Sequence, residues 1–389
     1  NGGPTALVND GDEQFQTLEV FAFYKPGSTT EPDRGTVIQF VQKEGPKCKN
    51  EVLPVFTACK ATFDGISLAM FPDHWVSNVT NREQYLDTLR DVLGFEPKVN
   101  FNAGVVAAGE AIIESTVTGN KPNAALLDAA DQLENQQQIY LPINNSLSEF
   151  GHVHFFIQEL GQGVQHIANR CANLVHFIQR VNDIRHITGR GFKFLNIPRS
   201  YYGYLKVNAL QAACGKPLQE CQNLFNALVT HDICDVHGIV TLDIDEAKVE
   251  STCSEIGFDK DVVFKVLGLA RYDHLISLLG NRLPEEELLR IVRNEILIDI
   301  QGRDILYQIF TRCILQNRPN DEAPFIEFIQ RVCFHDEDDD NQQPMKPGCG
   351  GFGIRNFLTL FLSIEVSKAM RLREAGVRDN DDLKLTFGE

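Results

Sequence analysis

The sequence predicts an α+β fold assembled from βαβββ modules and interrupted by a helical insertion, and three features carry that expectation. A strand-turn-strand segment occurs twice, as LEVFAFYKPGSTTEPDRGTVIQFVQKEG over 18–45 and ILYQIFTRCILQNRPNDEAPFIEFIQRV over 305–332. Between the copies, helical spacing alternates with short apolar runs of strand character. From about 205 to 291 the pattern is helical throughout, too long and too continuous to belong to one module.

In chain order, the first hairpin copy comes with a neutral second strand. Aligning VIQFVQK with FIEFIQR puts Gln39 where the second copy has Glu327, so only the second copy is expected to keep a metal. Residues 82–93 have helical spacing and end at Gly94, while 111–117 and 138–143 read as strands around a helix over 124–133. Together these make one βαβββ module. GVQHIANRC then leads into a helix over 174–184, and GFKFLNIP reads as a returning strand that begins a second module. The helical stretch that follows breaks at Gly215-Lys216-Pro217, Gly257 and Gly280, with Asp259 as a cap. The acidic run 335–340 reads as a solvated loop, with a calcium site as the alternative, and 356–373 reads as an amphipathic helix.

Composition narrows the function classes. With 389 residues and 43% hydrophobic content the chain has ample core-forming material. A formal net charge of −17 disfavours nucleic acid, whose binding requires clustered Lys and Arg to release counterions. No apolar run is long enough for a membrane span and the start lacks the regions of a signal peptide, so a soluble chain of the cytoplasm or an organelle interior is expected. The 10 cysteines contain no CxxC pair and are expected to be free thiols, and the sequons at Asn78 and Asn144 are read as accidental.

The chemistry gathers on three residues. In FIEFIQRV, strand alternation puts Phe325, Glu327 and Ile329 on one face, so Glu327 sits in an apolar interior and requires a cation. His74 in FPDHWVSNV and His166 in QGVQHIANR lie in similar apolar runs. Two imidazoles and a carboxylate are the ligand set of non-haem Fe(II) oxygenases, which leave open positions for a bidentate keto acid and dioxygen. Spacing alone leaves open the plainer reading of hydrogen-bonded core histidines. The stretch GCGGFG also matches GxGxxG, but no βαβ unit or acidic residue accompanies it, so a dinucleotide site is rejected.

DHWVSNV, LPIN, GVQHIA, LYQIFT, FIEFIQRV and GCGGFGxxNF, in this order, resemble the 4-hydroxyphenylpyruvate dioxygenase family from about residue 35 to about 364, the helical insertion excepted. The resemblance implies the vicinal-oxygen-chelate (glyoxalase-like) fold of open barrels, with Fe(II) held by His74, His166 and Glu327. It further implies Ser115, Pro142, Asn144, Gln165, Phe310 and Phe325 as substrate-binding residues, and Gln308, Phe352, Asn356 and Phe357 as catalytic ones. Implied domains are a remnant N-terminal barrel and linker over 1–65, a catalytic barrel over 66–204 and 292–375 with a lid helix, and the insertion over 205–291. The implied activity belongs to tyrosine and aromatic amino acid breakdown: 4-hydroxyphenylpyruvate and dioxygen give homogentisate with loss of CO2.

The chain departs from that pattern in ways that shape the expectation. It opens just before the last hairpin of the N-terminal barrel, which reads as a truncation. Gly151-His152-Val153-His154 stands where the family has a glutamine-bearing segment, so an imidazole is expected in place of a substrate-binding amide; His152 and His154 would share a face, with hydrogen-bonding roles expected and metal binding as the alternative. Ile354-Arg355 replaces a lysine-glycine pair in the lid motif. The insertion carries apolar runs such as VVFKVLGLA, which predict either homo-oligomer formation or a partner chain docked there. Alternatives are a 4-hydroxymandelate synthase-like oxygenase, an extradiol-type dioxygenase, and a retired enzyme serving as a structural or assembly subunit.

Overall fold

A strand, a helix and three strands follow one another from residue 70 to 146 in this computed structural model, which describes residues 4–10, 13–21, 37–44, 70–108, 111–120, 139–312, 322–333 and 349–374. The chain divides into two compact units, one built from 1–172, 313–327 and 368–389, the other from 173–312 and 328–367. The predicted helix over 124–133, the acidic run 335–340 and the linker below residue 66 lie outside the described residues.

In the first unit, β1 (Pro4–Asp10), β2 (Glu13–Phe21) and β3 (Val37–Glu44) form an antiparallel sheet in that order. Strands β2 and β3 are the first hairpin copy, and Gln39 pairs with Glu19. The larger sheet begins with β4 (Met70–Val79), followed by α1 (Arg82–Leu93), β5 (Glu96–Ala108), β6 (Ala111–Gly119) and β7 (Tyr140–Ser146). Its order β5-β6-β7-β4 places the last strand of the module parallel to the first. Parallel neighbours require a long crossover, and the excursion through α1, β5 and β6 supplies it.

Helix α1 forms where the sequence predicts it, for reasons that can be named. The Asn81 side chain accepts from the Gln84 N–H at its start, and Gly94, at φ 68°, closes it in a conformation other residues adopt at a cost. Tyr85 and Leu89, one turn apart, bury against Val79, Leu141 and Ile143 of the sheet. A short helix α2 (His152–Leu160) then leads to β8 (Gly163–Cys171), which pairs antiparallel with β4. Helix α2 corrects the expectation for Gly151 to His154: on a helix, residues two apart point away from each other, so His152 is buried and His154 is only partly so.

The second unit starts with α3 (Leu174–Thr188), capped by the Asn173 side chain and closed by Gly189. A single 3-10 turn at Arg199–Tyr201 precedes α4 (Val207–Cys214), α5 (Leu218–Thr230), α6 (Glu246–Ile256), α7 (Lys260–Ala270), α8 (Asp273–Leu279) and α9 (Glu285–Arg293). Strands β9 (Leu297–Gln301), β10 (Asp304–Phe310) and β11 (Phe325–Val332) follow in sheet order β11-β10-β9, and α10 (Ile354–Glu374) ends the described chain. The first three residues of β11 belong to the first unit. Both units thus present a helix followed by three strands, in keeping with the α+β class expected from the sequence.

The structure corrects other expectations as well. GFKFLNIP is not a strand: Phe194 makes one bridge to Thr311, and Gly191 at φ 122° and Pro198 end the pairing on either side. Cys333 and Cys349 are joined by a disulfide with Cα atoms 5.9 Å apart, whereas Cys171, Cys214, Cys221, Cys234 and Cys253 remain thiols. The pair became bondable because the end of β11 and the turn before α10 come together, which composition cannot reveal. Cys48, Cys59 and Cys313 lie outside the described residues. The apolar runs of the insertion need no partner chain for most of their surface, since Val263, Leu267 and Ala270 bury with Leu210, Leu224, Leu228 and Cys253 in a core of the helical block itself. Among the described residues, no helix is long and apolar enough to cross a membrane.

The helical block can be tested directly. Leu224→Ala, at a fully buried position, is expected to lower unfolding stability by about 2–5 kcal/mol. Leu218→Ala, on the exposed side of the same helix, is expected to change it by less than about 0.5 kcal/mol. Urea unfolding followed by circular dichroism distinguishes them.

Candidate metal centre

The register of β4 against β8 brings two histidines to one place. His74 pairs with Ala168, and His166 pairs with Val76. The imidazoles are therefore diagonal neighbours on one sheet face, the spacing at which long side chains meet across strands. Their ring centroids lie 6.1 Å apart at an interplanar angle of 75°. Glu327, third residue of β11, points its carboxylate between them: Oε2 is 3.2 Å from His74 Nε2 and 3.4 Å from His166 Nε2. One ligand atom from each of the three residues lies within 4.8 Å of the others.

All three are buried, with exposures of 4% for His74, 5% for His166 and 1% for Glu327. Phe325, Glu327 and Ile329 are all buried as the shared face predicts, and Phe328 on the opposite face is buried as well. Phe325 stacks on the His166 ring at 4.7 Å and 19°.

Two irregularities in the β4–β8 pairing complete the arrangement. The register passes from Pro72↔Asn169 to His74↔Ala168, skipping Asp73, and from Val76↔His166 to Ser77↔Val164, skipping Gln165. In a regular strand, consecutive side chains point to opposite faces, so neither residue could reach the imidazole beside it. A bulge re-aims the extra residue. Here His74 Nδ1 donates to Asp73 Oδ1 at 2.8 Å and His166 Nδ1 donates to Gln165 Oε1 at 3.0 Å. Arg170 holds Asp73 from the other side, Nε to Oδ2 at 3.1 Å. With both Nδ1 atoms committed as donors, both Nε2 atoms face Glu327, the tautomer that metal-ligating histidines adopt.

The electrostatics identify what this centre requires. Burial alone lowers the His74 pKa, but the charges and hydrogen bonds of Glu327 and Asp73 outweigh it and raise the group to about 9. Burial by itself raises Glu327, and His74 with His166 outweigh that, holding it down to about 2. His166 is lowered, burial dominating over the help from Glu327. A neutral His166 that donates through Nδ1 turns its Nε2 lone pair toward a carboxylate oxygen, and two lone pairs at that distance call for a cation between them. Two neutral imidazoles and a carboxylate suit a divalent first-row metal. The residues present fit Fe(II).

Other predicted site residues fall into groups. In the first unit, Ser115, Asn144 and Asn78 occupy matched positions on β6, β7 and β4. Ser115 Oγ donates to Asn144 Oδ1 at 2.7 Å, and Asn144 Nδ2 donates to Asn78 Oδ1 at 3.3 Å. Asn78 joins this hydrogen-bonded group without having been predicted, and its burial with Asn144 leaves neither sequon room for a glycan. Pro142 lies two residues before Asn144 on β7.

In the second unit, Asn356 Nδ2 donates to Gln308 Oε1 at 2.9 Å, and both are buried. Phe310 is buried two residues beyond Gln308 on β10, and Phe357 is half-buried on α10. Phe352 is half-buried in the turn before α10, where the Arg331 guanidinium lies 5.3 Å from its ring. Sequence reasoning also missed the contact of Asp73 with His74. Asp73 directly precedes a ligand histidine, but its use depends on a bulge.

No sequence-family profile matches the chain. It is similar to 4-hydroxyphenylpyruvate dioxygenase of Plectranthus scutellarioides, 25% identical over 304 residues, which covers 77% of this chain and 49% of that protein. The enzyme of the same name from Daucus carota is 25% identical over 328 residues, covering 80% and 52%. The one from Hordeum vulgare is 36% identical over 94 residues, 24% of this chain and 21% of that protein. The chain thus spans about half the length of the first two relatives. Among solved structures, a mutant 4-hydroxymandelate synthase from Streptomyces coelicolor aligns over 91% of this chain and 66% of its own, with 15% identity and a TM-score of 0.45.

Three predictions follow from the geometry. Because a metal must displace the proton that His74 holds up to about 9, Co(II) or Fe(II) affinity is expected to fall about tenfold per pH unit below that value. Stability of the metal-free fold runs the opposite way: a histidine raised from 6.5 to about 9 stabilises fully below 6.5, and that contribution is lost as pH rises through about 9. Calorimetric metal titration and urea midpoints of metal-stripped protein at about pH 6 and about pH 9.5 check the two signs. Separately, Asp73→Ala is expected to weaken metal binding by about 10- to 100-fold while leaving the three ligands in place. Competition with a chromogenic chelator measures it.

Proposed function

We propose that the chain is an Fe(II)-dependent dioxygenase acting on an aryl 2-keto acid, with conversion of 4-hydroxyphenylpyruvate to homogentisate as the leading candidate reaction. The observation that carries the reading is the convergence of His74 Nε2, His166 Nε2 and Glu327 Oε2. The similarity to 4-hydroxyphenylpyruvate dioxygenases supports it. Bound iron would supply the open coordination positions and the redox chemistry with dioxygen.

The protein's own residues do the rest. His74, His166 and Glu327 would hold the metal from one side, while Asp73 and Gln165 fix which ring nitrogen each histidine offers. Burial of the ligands keeps bulk water from the reacting atoms, which limits side reactions. The Phe325 ring, stacked on His166, presents an apolar surface suited to an aromatic substrate. We assign Ser115, Pro142, Asn144 and Gln165 to substrate contact in the first unit. On the family resemblance alone, Gln308 and Asn356 are assigned amide contacts, and Phe310, Phe352 and Phe357 aromatic ones. A 2-keto acid brings its own two-electron reductant as its carboxylate is lost, so no separate 2-oxoglutarate is needed.

Iron-loaded protein with 4-hydroxyphenylpyruvate is expected to consume dioxygen and release CO2 and homogentisate, and Glu327→Ala is expected to abolish both metal retention and turnover. An oxygen electrode with product chromatography reads the result. Hydroxymandelate as product would move the assignment to benzylic hydroxylation. Tight iron binding with no oxygen uptake on any aryl keto acid would overturn the enzymatic reading.

A further inference from the structure

Tyr201 closes the 3-10 turn that leads into the helical insertion, and its hydroxyl lies among three polar atoms. It is 2.8 Å from the Ile298 carbonyl oxygen, 3.0 Å from the Ile298 N–H nitrogen and 2.7 Å from Asn356 Oδ1. Asn356 in turn meets Gln308 at 2.9 Å. Asn356 and Gln308 are 1% and 4% exposed. Gly353, at φ +66°, lies so close to the Gln308 amide that a Cβ there would collide with it, so the turn before α10 presses the amide in place.

A phenol hydroxyl has one proton to donate. Since it accepts from the Ile298 N–H, that proton goes either to Asn356 Oδ1 or to the Ile298 carbonyl. In the first case Asn356 turns Nδ2 to Gln308 Oε1, and Gln308 directs its NH2 away from Asn356. In the second, Asn356 reverses, donates to the tyrosine oxygen and accepts from Gln308 Nε2, so Gln308 directs its oxygen away. The structure holds the first arrangement. Along this chain of bonds, the hydroxyl proton of Tyr201 favours one orientation of the Gln308 amide over the other.

We propose that Tyr201 is a positioning residue that sets the polarity of the Gln308 amide through Asn356, and that it ties this pair to the insertion. This rests on the reading of Gln308 and Asn356 as substrate-contact residues. The tie is visible in the main chain: the Tyr202 carbonyl accepts from the His274 N–H at 3.0 Å, and His274 Nδ1 lies 3.3 Å from the Tyr201 carbonyl oxygen. The start of α8, within the insertion, thus holds the turn whose hydroxyl orients the amides.

Tyr201→Phe removes the hydroxyl and keeps the ring. In the full iron-loaded chain it is expected to lower kcat about 5- to 20-fold with KM within about threefold, and to lower product formed per dioxygen consumed. A purely structural role would move stability and leave that ratio alone. Asn356→Asp provides a second reading, since two acceptor oxygens force Gln308 to reverse; Tyr201→Phe added to Asn356→Asp is expected to cost little more than Asn356→Asp alone. A third arm needs no turnover: with 15N-labelled asparagine and glutamine, the Gln308 side-chain NH2 signal, assigned by its loss in Gln308→Glu, is expected to shift in Tyr201→Phe. If the wild-type protein turns over no keto acid, the functional reading fails while this arm still decides the proposal. An unmoved Gln308 signal, wild-type coupling in Tyr201→Phe, or additive losses in the double variant would overturn it.

Discussion

A carboxylate with 1% exposure, set between two imidazole nitrogens, is the constraint around which this chain is arranged. An isolated charge in that position is prohibitive, so something positive must accompany Glu327 at every stage. Without metal the companion is the proton on His74, held there up to about pH 9. A divalent ion would replace that proton and also occupy the gap in front of His166. The metal-free fold is therefore tolerable without being electrostatically settled, which is the condition under which a site binds metal strongly yet survives its removal.

The constraint reaches backward into the sheet. A ligand histidine is useful only if its other nitrogen is fixed, and a regular strand turns the preceding side chain to the wrong face. Two skipped positions, Asp73 on β4 and Gln165 on β8, solve the same problem on partner strands. Their acceptors differ in charge. The carboxylate of Asp73 adds negative potential at His74, where the proton resides, whereas the amide of Gln165 fixes His166 without drawing a proton to it. The two histidines are thus unequal before any metal arrives, one a proton store and the other an open lone pair.

How much of this was legible in the sequence depends on the range of the signal. Glu327 could be read because alternation along a single strand is local, and α1 because its cap, its apolar spacing and its closing glycine lie within fourteen positions of one another. The helical block was legible for the same reason. The bulges were not, since they exist only in the register between segments about ninety residues apart. Helix α2 was missed because His152-Val153-His154 alternates polar and apolar like a strand over so short a span. The Cys333–Cys349 bond could not be chosen from ten cysteines without knowing that the end of β11 and the turn before α10 meet. Tyr201 carried no signal at all, because its partners come from β9 and α10.

The helical block illustrates how a fold accepts a large element that closes its own core. Loop-closure entropy grows slowly with length, so inserting a block that buries its own apolar faces costs the host little. What the host cannot accept is loss of position where the block joins it. That junction is unusually well held: Gly203 packs against Ala270 and Asp273 too closely for any side chain, Arg199 donates to the Val240 carbonyl, and the Tyr201 hydroxyl accepts from the Ile298 N–H. A junction this tight cannot shift on its own side alone. A displacement at this junction would reach β9 through Ile298 and the Asn356 amide through the Tyr201 hydroxyl.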